Sequence, residues 1–241
     1  MIVGLSGYAG VGKDTVADRL VRNHNSVKVA LADPLKQIAR MVFDFSVEQL
    51  WGPSQRRNEP DLRYPRKHTW DNPRDGVYTC TCCNATCRRG DQPSSDPCYL
   101  TVRYALQKLG TEWGRDCYQT VWGELGARIA TSILVEDRDY SPEHGVYDKD
   151  PYSDPPYASV VIPDIRFRSE IEVLRRVSKV PVRIVRLRRP GFEAPAYNHP
   201  SETEQADIPD SVFDYVYEGS STLDDIDQRV TQMVDAISRQ P

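Results

Sequence analysis

The run Gly7-Tyr8-Ala9-Gly10-Val11-Gly12-Lys13-Asp14-Thr15 fits the pattern G-x-x-x-x-G-K, and residues of those types at that spacing can hold phosphate. Glycines let successive backbone N–H groups turn inward around an anion. The N-terminus of a following helix adds partial positive charge, and Lys13 can bridge neighbouring phosphate oxygens. A glycine turn carrying a solvated lysine is the plainer reading. The apolar run before the motif and the helical period after it favour phosphate. After Lys13 stands Asp14, where the pattern most often has Ser or Thr to hold Mg²⁺, and Thr15 comes one residue late. Either Asp14 joins a magnesium shell through water, or Thr15 takes that part.

Other residues farther along could join this chemistry. Asp164 closes an apolar run, and the C-terminal end of a buried parallel strand faces the ligand crevice. There it could orient magnesium waters or a nucleophilic phosphate oxygen, or simply cap the next turn. Arg166 beside it is placed to clamp phosphate charge. Arg183, Arg186, Arg188 and Arg189 gather at and beyond another strand, as a phosphate-facing group or as a basic strand end. Cys80, Cys82, Cys83, Cys87 and Cys98 cluster in one segment. Four of them, Cys80, Cys83, Cys87 and Cys98, could surround Zn²⁺ and fold a segment too polar to build its own core, and reduced thiols are the alternative. No Ser/His/Asp or Cys/His arrangement for covalent catalysis stands out.

The elements that must position these residues follow from periodicity. Ile2 to Ser6 reads as a strand, and the helix from Asp14 turns Val16, Ala17, Leu20 and Val21 to one face. Val27 to Leu31 reads as a second strand, after which Asp33 and Pro34 start a helix. From about Trp51 to Tyr99 no period survives, which marks a loop-rich insertion. Helices return from Thr101 to Gly110 and from Tyr118 to Leu134, followed by a loop from Tyr140 to Pro156. Ser159 to Ile162 is a buried strand, Ser169 with Glu172 is read as the capping box of a helix, and Val182 to Leu187 and Val212 to Tyr217 are further strands. Thr222 with Asp225 caps a last helix. Apolar strands alternating with amphipathic helices predict an α/β fold: three layers around a parallel sheet, one domain over 1–241 with a cysteine-bearing insertion at about 64–98.

Composition sets the outer limits. The 241 residues are enough for one large domain. No apolar run approaches the roughly 18 residues of a membrane span, and Met1 to Leu5 lacks the features of a signal peptide, so no membrane partner and a cytoplasmic location are expected. With 31 basic and 35 acidic residues the net charge is -4, which gives no global field for a nucleic-acid backbone, and no nucleic-acid partner is expected.

Taken together, Gly-Lys-Asp-Thr in the loop, Ala32-Asp33-Pro34-Leu35-Lys36, Leu106 to Arg115 (LQKLGTEWGR), Ile162 to Phe167 with Glu170, and His199-Pro200-Ser201-Glu202 resemble the deoxynucleoside monophosphate kinases of bacteriophages, in the expected order. The resemblance implies a P-loop kinase fold and transfer of the ATP γ-phosphoryl group to the 5′-phosphate of a deoxynucleoside monophosphate, in the host cytoplasm if phage-encoded. It carries over Gly7, Gly10, Val11, Gly12, Lys13, Asp14 and Thr15 to ATP and Mg²⁺. Asp33 and Lys36 go to the monophosphate pocket, although Asp33 reads equally as a helix cap. Arg115, Arg166, Arg186 and Arg188 go to phosphate charge, the last two resembling the lid arginines of nucleotide kinases, and Lys13, Arg115, Asp164 and Arg166 to the catalytic group. His199 is expected to be a structural or lid contact. A homodimer is compatible with the sequence. The alternatives are another small-molecule P-loop kinase, similar to dephospho-coenzyme A kinase, and a nucleotide-binding regulatory protein.

Overall fold

In chain order the described residues form β1 (Ile2–Ser6), α1 (Lys13–Asn23), β2 (Ser26–Lys28), α2 (Asp33–Phe43), α3 (Val47–Trp51), β3 (Pro60–Pro65), β4 (Val77–Thr79), β5 (Thr86–Arg88), β6 (Tyr99–Thr101) and α4 (Val102–Lys108). A π-helix (Leu109–Arg115) continues α4, and α5 (Val121–Leu134), β7 (Asp139–Ser141), β8 (Gly145–Tyr147), β9 (Ser159–Ile165), α6 (Arg168–Val177), β10 (Val182–Arg188), β11 (Tyr215–Glu218) and α7 (Leu223–Ser238) complete the chain. This computed structural model describes residues 1–65, 77–79, 86–88, 99–150, 152, 155–191, 205, 207–219 and 223–240. They divide into one unit of residues 1–34 and 118–241 and another of residues 35–117.

The first unit is built on a five-stranded sheet in the order β11-β10-β1-β9-β2, with every pairing parallel. Strand alternation sends Val3, Leu5, Val161, Val185 and Leu187 to one face, where they pack with Val16, Ala17 and Leu20 of α1 and Val230, Met233 and Ile237 of α7. The opposite face takes α5 and α6 at close range. A Cβ on Gly126 would stand 2.5 Å from a Leu31 methyl, and one on Gly123 would stand 2.3 Å from a Val173 methyl. Gly4 in β1 is equally confined, since its Cβ would meet Ile184 at 2.7 Å and Ile165 at 3.2 Å. Helices on both faces of a parallel sheet make the expected three-layer α/β architecture.

Several local expectations change. The cap of α6 is not made by Ser169 and Glu172: the Glu170 carboxylate accepts from the N–H groups of Arg166 at 2.8 Å and Phe167 at 3.1 Å, and the helix starts at Arg168. Glu170 lies three residues beyond Phe167, the spacing at which a carboxylate reaches the first free N–H groups. The stretch after Tyr140 is a β7–β8 hairpin rather than a loop throughout.

In the second unit the residues after Trp51 do form strands: β3 pairs with β6 and β4 with β5, both antiparallel. Strands this short, with Pro60 and Pro65 at the ends of β3, leave no readable alternation. Around Ala39, Phe45, Leu50, Val102 and Ala105 the unit has its own core, edged by Phe43, Trp51 and Tyr64. The Tyr64 hydroxyl donates to the Phe43 carbonyl at 2.6 Å. Asp61 is buried and paired with Arg63 at 2.8 Å, an interaction that holds its carboxyl down to about 2. Of the cysteines proposed for zinc, Cys80, Cys83 and Cys98 lie outside the described residues, and only the backbone of Cys87 is described, in β5 opposite Tyr78. Among the described residues no helix is long and apolar enough to cross a membrane.

Candidate active site

The loop leaving β1 takes its shape from glycines at positive φ. Gly7, Gly10 and Gly12 have φ of 152°, 84° and 104°, values an L side chain adopts only under strain. Two of these glycines serve different ends. A Cβ on Gly7 would stand 2.8 Å from the Leu187 carbonyl oxygen, so this position keeps the loop pressed to β10. A Cβ on Gly12 would meet nothing within 4 Å, so here glycine serves the backbone turn and leaves the cradle open. No side chain caps the N-terminus of α1, which leaves its first N–H groups facing the cradle with the positive end of the helix dipole behind them. Lys13 folds back over this space, its ammonium donating to the carbonyls of Gly7 at 2.5 Å and Tyr8 at 2.8 Å. Asp14 and Thr15 follow, both exposed in the first turn, hard oxygen donors of the kind Mg²⁺ takes beside phosphate. The residues present therefore fit a Mg²⁺–polyphosphate group.

Next to the loop, Asp164 owes its direction to an irregularity. Gly4 pairs with Ile162 but Ser6 with Ile165, so β9 carries one extra residue at Pro163-Asp164. Proline supplies no ladder N–H, and a bulge of this kind turns a side chain out of the regular alternation. The half-buried Asp164 carboxylate accepts from the N–H groups of Leu31 at 2.9 Å and Ala32 at 3.2 Å. It thus ties β9 to the turn after β2 rather than capping its own turn. Burial pushes its carboxyl pKa up, the Leu31 N–H opposes this, the charge of Asp33 adds to the rise, and Arg166 and the Ala32 N–H pull it down.

Asp33 sits in that same turn, buried, accepting from the Ala30 N–H at 3.1 Å and the Tyr140 hydroxyl at 3.0 Å. Tyr140 comes from the β7–β8 hairpin, and burial together with the Asp33 carboxylate raises its pKa. The structure thus gathers Asp33, Asp164 and the unforeseen Tyr140 into one cluster.

The arginines of β10 part company. Arg183 donates to the carbonyls of Ile237 at 3.1 Å and Gln240 at 2.8 Å, at the C-terminal end of α7, a structural role. Arg186 bonds the Ile208 carbonyl at 2.6 Å, the Gln205 carbonyl and Asp210, and lies over the Phe213 ring. Arg188 pairs with the same Asp210 at 2.8 Å. Between the end of β10 and the loop is a cavity of about 230 Å³, bordered by Gly7, Tyr8 and Val11 on one side and Leu187, Arg188 and Arg189 on the other. Asp210 and Gln205, which complete this region, gave no signal in the sequence.

Two predicted residues belong to the second unit. The Lys36 ammonium lies 5.6 Å from the centre of the Trp51 ring, and Arg115 ends the π-helix, half-buried next to the buried Gly114. His199 lies outside the described residues.

No family model matches the chain. It is 25% identical over 239 residues, 99% of this chain and 98% of the relative, to a protein of Acanthamoeba polyphaga mimivirus named "Putative deoxynucleotide monophosphate kinase".

Proposed function

We propose that the chain is a kinase of deoxynucleoside monophosphates, transferring the γ-phosphoryl group of ATP to a 5′-phosphate and yielding a deoxynucleoside diphosphate and ADP. One observation carries the reading: an open glycine loop at an uncapped helix N-terminus, with its lysine in place, stands beside a strand whose bulge carries an aspartate. Similarity to the mimivirus protein over nearly the whole of both chains supports the choice of a nucleotide substrate.

In this reaction an oxygen of the acceptor phosphate bonds to the γ-phosphorus while the bond to the β,γ-bridging oxygen breaks, and ADP leaves. Such transfers need little acid–base chemistry, so positioning and charge neutralisation dominate. Backbone N–H groups of the loop and of the start of α1 hold the donor phosphates. Lys13 exchanges its two carbonyl partners, Gly7 and Tyr8, for phosphate oxygens. Bound Mg²⁺ would neutralise the phosphate oxygens, with Asp14 and Thr15 to hold it and its waters. Asp164 keeps the Leu31–Ala32 backbone fixed, and with it the turn carrying Asp33 on the acceptor side. Arg166, Arg186 and Arg188 are the cations of the first unit assigned to phosphate charge.

The test is a coupled assay of ADP release with ATP, Mg²⁺ and a panel of deoxynucleoside monophosphates, including modified pyrimidines, alongside dephospho-coenzyme A. Turnover with at least one deoxynucleotide is expected. Activity with dephospho-coenzyme A and with no deoxynucleotide overturns the assignment. For the cysteines we propose a structural zinc held by Cys80, Cys83, Cys87 and Cys98. Stoichiometric zinc in protein purified without added metal, with faster proteolysis at 64–98 after chelation, is the expected result, and substoichiometric zinc with unchanged cleavage rejects it.

A further inference from the structure

The apolar stripe of α2 outruns the core it belongs to. Leu35 and Ala39 are buried, and Val42 follows at the helical spacing, yet Val42 is 59% exposed and Met41 beside it 80%. The exposure continues past the end of the helix. Val47 at the start of α3 is exposed, and so is Leu62 in β3, at 71%. These four residues border one rigid corner. Phe43 and Phe45 stack with ring centres 5.3 Å apart, and Tyr64 meets both edge-on, which fixes the turn between α2 and α3 to β3. Arg63 donates to the Asp44 carboxylate at 3.1 Å and to the Asp44 carbonyl at 3.0 Å, so Leu62 is held beside that turn. An open groove of about 510 Å³ between them is lined by Asp44, Ser46, Pro60, Leu62 and Arg63. Single apolar residues are ordinary on a surface, whereas several large ones gathered on a fixed corner mark a contact site.

We propose that this patch joins the protein to a second copy of itself, with α2 against α2, antiparallel, about a twofold axis near Met41 and Val42. The charges around the patch select the occupant. Arg40 in the last turn of α2 and Asp44 just past its end are both exposed and flank Met41 and Val42. They stand about one helical turn apart, roughly 6 Å along the axis. In an antiparallel pair centred between them, Arg40 of each copy lies opposite Asp44 of the other. One patch thus supplies both halves of two ion pairs, as a twofold contact requires. A partner of a single charge sign would meet its own sign at one of the two positions. Asp44 has room for a second cation, since Arg63 takes one of its oxygens and its side chain is 93% exposed. Met41, unbranched and adaptable, packs against its own image at the centre. Four apolar side chains make a small interface, so the dimer dissociates in the micromolar range.

Sedimentation velocity of the full chain tests this, with circular-dichroism melts to show that each variant folds. Wild type is expected to pass from monomer to dimer between about 1 and 100 μM. Met41→Glu sets a carboxylate in the apolar centre and is expected to raise the dissociation constant about 30-fold or more. Arg40→Glu and Asp44→Lys each place like charges opposite one another and should each raise it about tenfold. Mixed in equal amounts, these two variants are expected to pair almost as tightly as wild type, because each supplies the charge that the other has lost. An apolar contact without the antiparallel register would not show this rescue. A mixture no more dimeric than its components overturns the proposal, and so does Met41→Glu that dimerises as wild type does. Wild type that stays monomeric throughout also overturns it, gives the face to a different partner, and needs no variant to fold. Since no turnover is read, the result stands apart from the kinase reading.

Discussion

The loop after β1 and the turn after β2 lie at the same end of one sheet and are made in opposite ways. The loop is a backbone structure: three glycines at positive φ, an uncapped helix end and one lysine resting on loop carbonyls. The turn is held by side chains, with Asp164 gripping two N–H groups and Asp33 bonded to a third and to Tyr140. A ligand site made of backbone can lose a side chain without losing its shape. One made of buried carboxylates cannot, because every missing oxygen leaves an N–H without a partner.

The sharpest contrast is expected between Lys13 and Asp164. Lys13→Ala should lower phosphoryl transfer by about 1,000-fold and leave the melting temperature almost unchanged, since charge stabilisation goes and packing stays. Retained turnover in the purified variant would end the phosphate-loop assignment. Asp164→Ala should lose both, with turnover falling about 100-fold and stability by about 2–3 kcal/mol, read by urea unfolding beside the assay. A full-stability Asp164→Ala would dissolve the contrast.

Within the loop the glycines are expected to differ. Gly7→Ala meets the Leu187 carbonyl as well as an unfavourable φ and should cost about 2–3 kcal/mol. Gly12→Ala meets only the φ and should cost about 1 kcal/mol, and equal costs in denaturant melts would contradict the close approach to β10. Tyr140→Phe removes one buried hydrogen bond from Asp33 and should cost about 1–2 kcal/mol. If Asp33 serves the acceptor, KM for the monophosphate rises in this variant and KM for ATP does not. The remaining comparison is with the second unit. The Asp61 carboxyl, held to about 2 by Arg63, lies below the roughly 3.9 of an unfolded aspartate. Its contribution is therefore complete above about pH 4 and is lost as pH falls through about 2. Melting curves of wild type and Asp61→Asn should converge toward acid, and a constant difference would assign the effect to packing.

The two regions also differ in how far the sequence revealed them. The loop is a local pattern, readable because every residue that shapes it is within a few positions of the next. Asp164 was readable as the end of an apolar run, but its partners Leu31 and Ala32 were not, since nothing local announces a contact across 133 positions. Tyr140 meets Asp33 across 107 positions from a short hairpin with no visible alternation, and Gln205 meets Ile165 across 40. The cap of α6 failed for a different reason: two carboxylates stand close together, and Glu170, two residues nearer the free N–H groups than Glu172, takes the role.

The pairing of β1 bears on how the protein is made. Ile2 is matched with Val160 on one side and Val182 on the other, so the central strand is synthesised long before either neighbour. While the intervening chain leaves the ribosome, an apolar segment with both edges open waits without a sheet to enter. Parallel pairings of such separation close late and leave unpaired edges that attract other chains. The glycine loop, hanging from that strand and pressed against β10, reaches its final packing only after β10 has emerged.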